Sequence, residues 1–324
     1  MPGTNEIVED FMNNGVLVIG ELNVDILLNK VRSFPRIGEE ILADEMTFTL
    51  GSSSAIFAAN LSSLGVKTAF SGMVGADMFG KYVLSELALK AVDCTHIISE
   101  PAYQTGVTII LNYGQDRANV THCGAMERVT LSHVPVAHFA NFRHLHLSSY
   151  FLQKGLQPDI VNLFRIAKEQ GLTTSLDLQW DPANEWKFPY QSCLPYVDLF
   201  MPNEAELLAL TNCDGLQQAL ETLSDYSNTI VVKRGVNGAL AFNKGAYTEA
   251  EPFLHNHFVD AIGAGDSFNA GFISGFLTGN SLQDCLLRGN LAGAINTTAA
   301  GGTGAFSDPS AFTSKAKALF NIVI

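Results

Sequence analysis

Two carboxylates bracket a turn of small residues: Asp260, then Gly263-Ala264-Gly265, then Asp266. Phe268, Phe272 and Phe276 follow at four-residue spacing with Ile273 beside them, which is one apolar face of a helix. A glycine turn entering a helix aims several backbone N–H groups at one place, and the positive end of the helix dipole adds to them. Such a place suits a phosphate, or negative charge that develops during a reaction. Asp266 falls in the first helical turn beside it. A first-turn Asp is favourable on structural grounds alone, by about 0.3–1 kcal/mol. The combination argues for more, because a carboxylate next to a phosphate is repelled unless it has a task, such as taking a proton from an attacking hydroxyl.

The segment Asp260-Ala261-Ile262-Gly263-Ala264-Gly265-Asp266 resembles the D-T-x-G-A-G-D signature of the ribokinase-like (PfkB-type) carbohydrate kinases, with Ala261 where Thr is usual. The resemblance implies that Asp266 is the catalytic base and that Gly263, Ala264 and Gly265 form an anion hole for the transferred phosphoryl group. It also implies that Asp260 helps to hold a monovalent cation. A strand ahead of the motif and a helix behind it are expected.

The elements that must position this motif are read from the rest of the chain. Gly15 to Leu22 is an apolar run of the kind buried in a parallel sheet. A nicotinamide-dinucleotide fold would place G-x-G-x-x-G directly after it. Only Gly20 is present, which disfavours an oxidoreductase. Asn23 and Asp25 stand two apart, so an extended chain turns both the same way, toward sugar hydroxyls or, on the structural alternative, toward solvent. In the resembled family an Asp just after the first strand contacts substrate hydroxyls, which assigns Asp25, with Asn23, to the acceptor.

Short alternating stretches over 26–50 run into Gly51-Ser52-Ser53-Ser54 and a helix expected from Ala55 to Leu64, closed by Gly65. This segment resembles the family's G-G-x-x-x-N-x-A substrate loop and places Gly51 and Ser52 at the substrate. Ser52 replaces the second Gly and Ile56 replaces the Asn. Ile cannot bond a sugar hydroxyl, so the acceptor pocket is altered. Gly106 to Gly124 reads as two strands joined by a turn at 114–116. With the earlier strands it implies a small sheet formed by about 24–50 and 104–124, which in the family is a lid over the substrate and commonly a dimer contact. Arg117, near the hairpin tip, is placed to meet an anionic substrate group or else to be a solvated surface Arg.

Beyond residue 140 strands and helices alternate: a strand at 144–149, a helix at 156–170, then strands at 173–178 and 197–201. That order specifies a parallel sheet with helices on both faces and ligands at the carboxyl ends of its strands, where Asp177, Asn203 and Glu206 lie. Asn203 and Glu206 have the spacing of a capping box. The same N-x-x-E spacing resembles the family's motif for ATP phosphates and Mg2+. Lys233-Arg-Gly235-Val-Asn-Gly238 resembles the family's K-x-G-x-x-G turn beside the nucleotide, with Lys233 offsetting phosphate charge. Asn290, on a helix expected over 281–300, matches an Asn near the adenine in related kinases. The loop 301–305 matches one that encloses the nucleotide and a monovalent cation. A last helix is expected from Pro309 to Asn321.

Two patterns are set aside. Gly75 to Lys81 has P-loop spacing, but Tyr82 stands where Ser or Thr must ligate Mg2+; a turn with Asp77 as N-cap of a helix running to Ala91 accounts for it. His144/His146 and His255/His257 have a spacing that can share a metal, yet no acidic or Cys partner accompanies them, and no directly ligated metal is assigned.

Composition bounds the reading. The 324 residues are 47% hydrophobic and 16% charged, which describes a globular chain. The net charge of −13, without a basic cluster, argues against a nucleic-acid partner and makes Mg2+ and local basic groups necessary for ATP use. Five scattered Cys without C-x-x-C read as reduced thiols, the N-terminal stretch has no apolar core of a signal peptide, and no apolar run reaches a membrane span. A cytoplasmic location with no membrane partner is expected.

The expected fold class is α/β, ribokinase-like: a central, mostly parallel sheet with helices on both faces plus a small β-sheet lid, as one kinase domain over 1–324. The expected function is an ATP-dependent sugar kinase that uses ATP, Mg2+ and optionally K+ and acts on a fructose- or 2-keto-3-deoxygluconate-like acceptor, as a homodimer through the lid. A nucleoside kinase of the same family, or a non-catalytic sugar- or nucleotide-binding sensor, is the alternative.

Overall fold

β1 (Gly15–Ile19) is apolar and buried at nearly every side chain because it runs through the middle of a sheet covered on both faces. Alternation divides it between two cores. Leu17 and Ile19 join Leu145, Leu147, Phe164, Leu176 and Phe200, while Val16 and Val18 join Phe57, Phe70, Val74 and Phe272. Burial of each such side chain stabilises the fold by roughly 1.5–3 kcal/mol. The first core is covered by the helix Ile160–Glu169 and the second by the helices Ser53–Ser63 and Ala264–Leu277.

The computed structural model describes residues 15–113, 116–308 and 310–323. Expectations placed on residues 1–14, on the turn at 114–115 and on Pro309 lie outside the described residues. After β1 come β2 (Asn23–Asn29), β3 (Glu45–Leu50), β4 (Thr68–Gly75), β5 (Asp93–Glu100), β6 (Gly106–Tyr113) and β7 (Asp116–His122). Then follow β8 (Phe142–Ser148), β9 (Thr173–Asp177), β10 (Leu199–Phe200), β11 (Thr229–Lys233), β12 (Ala239–Asn243) and β13 (Ala246–Ala250). Among the described residues the large sheet has the order β13-β12-β11-β10-β9-β8-β1-β4-β5, parallel except for the β11-β12-β13 edge. The order switches direction between β8, β1 and β4, and in such sheets the crevice at the carboxyl ends of the strands is the ligand site.

β3-β2-β6-β7 form a separate sheet that leaves the carboxyl end of β1 after three residues. Register puts Asn23, Asp25 and Leu27 on one face with Thr49, Thr108 and Ile110, and Ile26, Phe48, Met46, Ile109 and Val120 on the other. The first face packs inward, with Leu27 and Ile110 against Ile262 of the acidic motif. The second is partly covered, with Phe48 packed on Phe79 and Tyr82 of the helix Met78–Leu89, and it leaves Met46 67% and Val120 64% exposed.

Some expected boundaries differ. No strand precedes the acidic motif: the chain leaves the sheet at Ala250, and Phe258 and Val259 are 59% and 54% exposed. The Val259 N–H donates to Thr297 O at 2.8 Å instead of entering a ladder. The helix expected over 281–300 is Leu282–Asn296, because Thr297 and Thr298 fold their hydroxyls back onto Ala294 O and Ile295 O and compete with another turn. The last helix is Ala311–Phe320. No helix among the described residues is long and apolar enough to cross a membrane.

Candidate active site

Gly263 caps the helix Ala264–Leu277 at φ +72°. A Cβ there would lie 2.6 Å from Gly302 Cα and 2.9 Å from Ile56 Cγ2, so the turn admits only glycine. First-turn N–H groups have no partner within their own helix, which leaves the Gly265 N–H for an anion. The Ala264 N–H is partly engaged, leaning to Ala261 O at 3.3 Å. Asp266 follows on the first turn, buried at 6% exposure. Burial pushes its carboxyl well above the usual range; the charge of Asp177 adds to this and Lys233 opposes it.

Asp177 ends β9 with no exposed surface and gathers donors from three directions. Lys233 at the end of β11 forms an ion pair with it, Asn269 Nδ2 donates to its Oδ2 at 2.6 Å, and Gln179 Nε2 donates to the same oxygen at 3.1 Å. Lys233 Nζ lies 3.7 Å from where a Cβ on Gly265 would stand, so the ammonium sits against the anion turn. Burial works against that charge, but Asp177, Glu206 and Asp266 outweigh burial and hold Lys233 above the usual lysine range. Asn203 and Glu206 form the capping box: Asn203 Oδ1 accepts from the Glu206 N–H and Glu206 Oε2 from the Asn203 N–H, both at 2.9 Å. Burial, with Asp177 adding and Lys233 opposing, pushes Glu206 up to about 7.

On the inward face of the second sheet Asn23 Nδ2 donates to Asp25 Oδ1 at 2.9 Å and to Thr108 Oγ1 at 3.1 Å. Burial pushes Asp25 up to about 7; Glu21 adds to the shift, while Asn23 and Arg117 oppose it. Glu21 therefore acts on both Asp25 and Asp266. The hydroxyl of Ser52 is taken by the protein. The residue sits at φ +70°, its hydroxyl donates to Glu21 O at 2.6 Å and accepts from the Ala55 N–H at 2.9 Å, and so it caps the helix Ser53–Ser63. Its left-handed backbone explains why glycine is the usual residue there.

Asp260 accepts from the Ile262 N–H through Oδ1 and from the Gly301 N–H through Oδ2, both at 2.9 Å, which ties the motif to the 301–305 loop. A cavity of about 360 Å³ opens from Gly265 and Lys233 past Gly235, Gly238, Phe258 and Phe268 to Asn290. Gly238 is required at its wall, because a Cβ there would stand 2.1 Å from Ala250 O. Asn290 Nδ2 donates to Ala250 O at 3.0 Å and to Glu251 O at 2.9 Å. An apolar pocket that ends on an anion turn can hold a nucleotide with its phosphates toward Asp266.

Residues 13–309 match the family model of the pfkB family carbohydrate kinases. The chain belongs to this family. It is 31% identical over 305 residues to the ATP-dependent ribose-1-phosphate kinase of Halopiger xanaduensis, covering 91% of this chain and 95% of that one. It is 28% identical to the 2-dehydro-3-deoxygluconokinase of Bacillus subtilis, covering 80% and 85%. A protein of E. coli provisionally named Ribokinase II and solved with ATP and Mg2+ shares the fold at TM-score 0.80 and 23% identity, covering 93% and 99%. As a pfkB kinase the chain is a phosphotransferase with an alcohol group as acceptor.

Several residues around this turn carry no strong sequence signal. Glu21 is buried and bonded by the Ser54 and Ser149 hydroxyls. Asn60 Nδ2 donates to Ser267 Oγ and to Gly302 O, both at 2.9 Å, and so joins three segments. Gln179 and Asn269 complete the shell around Asp177. The spacing of Asn60 one turn after Ile56, and of Asn269 three residues after Asp266, is a hint in retrospect. The P-loop-like segment lies elsewhere: Asp77 accepts from the Gly80 N–H at 2.8 Å and Tyr82 packs on Phe48 at 4.6 Å between ring centroids. His144 and His146 bond through both ring nitrogens to the hydroxyls of Thr173, Ser175 and Ser148 inside the sheet.

Proposed function

We propose that this pfkB kinase transfers the ATP γ-phosphoryl group to a hydroxyl of a small, fructose- or 2-keto-3-deoxygluconate-like carbohydrate, with Asp266 as general base. The observation that carries the proposal is the position of Asp266: it follows an anion turn that rests against Lys233, and Ile262 of the same motif packs on the face that bears Asn23 and Asp25. Asn23 and Asp25 orient the acceptor hydroxyls, the N–H groups of Gly263 and Gly265 receive charge on the phosphoryl oxygens, and the Ala264 N–H joins them on leaving Ala261 O.

Acidic side chains gathered around one lysine leave negative charge that a bound cation would offset. Asp177, Glu206 and Asp266 all act on Lys233, and the charge of Asp177 adds to burial in pushing Glu206 upward. Mg2+, held near Asn203 and Glu206 through water, would supply charge neutralisation of the phosphates. K+ would share Asp260 with the two N–H groups it already accepts. Within a single kinase domain the second sheet serves as a lid whose closure excludes water. Its exposed Met46 and Val120 support a homodimer, and a cytoplasmic location accords with this chemistry.

Arg117 favours an acidic acceptor, since it stands on the face of Asp25 and acts on its charge. Named acceptors of relatives, such as 2-dehydro-3-deoxygluconate and ribose-1-phosphate, are anionic. ADP release with ATP, Mg2+ and K+ across neutral sugars, sugar acids, sugar phosphates and nucleosides tests the reading. The highest kcat/KM is expected on an anionic sugar; turnover confined to nucleosides would contradict it.

A further inference from the structure

Asp266 is held by a side chain from outside its own helix. Gln179 Nε2 donates to Asp266 Oδ1 at 3.1 Å and to Asp177 Oδ2 at 3.1 Å, so one neutral amide bridges two buried carboxylates. Both hydrogens of the amide are used, and the flipped amide would face two anionic oxygens with a third, which fixes its orientation. The backbone of Gln179 stands at φ +60°, a conformation that side-chain-bearing residues rarely adopt, and its N–H donates to Asp177 Oδ1 at 3.3 Å. Asn269, on the helix of Asp266, closes the arrangement from the other side by donating to Asp177 Oδ2. The carboxylate and the helix that bears it are thus both referred to the end of β9.

We infer that Gln179 positions the base of this kinase, committing Oδ1 of Asp266 to the protein and leaving proton transfer to Oδ2. The inference rests on the reading of Asp266 as base. A neutral bridge suits the place: a lysine would form a permanent ion pair with the base, and an apolar residue would leave two carboxylates facing each other. The other groups that bear on Asp266 are Asp177 at the end of β9, Lys233 from β11, Glu21 after β1 and Ser53 at the start of the helix Ser53–Ser63. Gln179 adds a directed donor to that set without adding charge.

The test compares wild type, Gln179→Ala, the near-isosteric Gln179→Glu and Asp266→Asn, each checked by thermal melting, in ADP release over a range of pH. Gln179→Ala is expected to lower kcat roughly ten- to a hundredfold, the loss of one hydrogen bond to a charged group. KM for ATP and acceptor should stay near wild type. The acid limb of the kcat profile should move to higher pH, because the carboxylate has lost a donor that favoured its charged form. Gln179→Glu should move it further in the same direction. A role confined to the turn would lower the melt and leave the limb in place. If Asp266→Asn is inactive while both Gln179 variants keep the wild-type kcat and limb, the positioning inference falls alone. A rise in acceptor KM at unchanged kcat would overturn it too, by making Gln179 a substrate contact. Full turnover by Asp266→Asn would remove the base reading itself.

Discussion

A methyl group on Gly51 would lie 2.2 Å from Oδ1 of Asp25 and 2.6 Å from Nδ2 of Asn23. The glycine therefore makes room for this pair, proposed above to orient the acceptor. Gly51→Ala must displace both side chains, and a misplacement of about 1 Å in a binding group costs on the order of a hundredfold. Steady-state kinetics should show kcat/KM for the acceptor falling by that order with KM for ATP little changed. An unchanged acceptor kcat/KM would mean that Asp25 is not held by this contact.

Under the proposed function, Asp25 trades stability for acceptor binding. Its folded value is raised from 3.8 to about 7, so folding takes up a proton in that window, and the stability present below it is lost as pH rises through about 7. Asp25→Asn should therefore melt above wild type at pH 8, with the gap closing toward pH 4, while kcat/KM for the acceptor falls. A lower melt for the variant at pH 8 would refute the buried-charge account.

Much of this was legible in the sequence because it rests on local rules. The capping box of Asn203 and Glu206, the Asp77 cap and the acidic motif each depend on residues a few positions apart. What stayed hidden depends on contacts between distant segments. That Glu21 and Ala55 take the Ser52 hydroxyl appears only in the folded chain. Phe258-Val259 looks like the end of a strand until the sheet is seen to stop at Ala250. Gln179 has no motif of its own and is found only where the ends of β9 and of the helix Ala264–Leu277 meet.

Ile56 provides another check on those distant contacts. A Cβ on Gly302 would stand 2.3 Å from Ile56 Cδ1, so Ile56 packs against the glycine loop. Gly302→Ala should destabilise by about 1–3 kcal/mol through overpacking, and adding Ile56→Val should recover part of it. Equal loss in the single and double variants, measured by denaturant unfolding, would separate the two residues.

The partly exposed face of the second sheet predicts assembly. Val120→Asp puts a charge on the edge strand of this apolar face and should convert a dimer to a monomer in light scattering. A wild-type monomer, or a variant that still dimerises, would place the interface elsewhere.

The most direct test of the central claim is turnover of Asp266→Asn on the best acceptor, read as ADP release alongside a thermal melt. Loss of a positioned base predicts a fall in kcat of roughly 10²–10⁴. The melt should be equal or higher, since a buried carboxyl raised well above its usual range has been removed. Turnover near wild type would contradict the account.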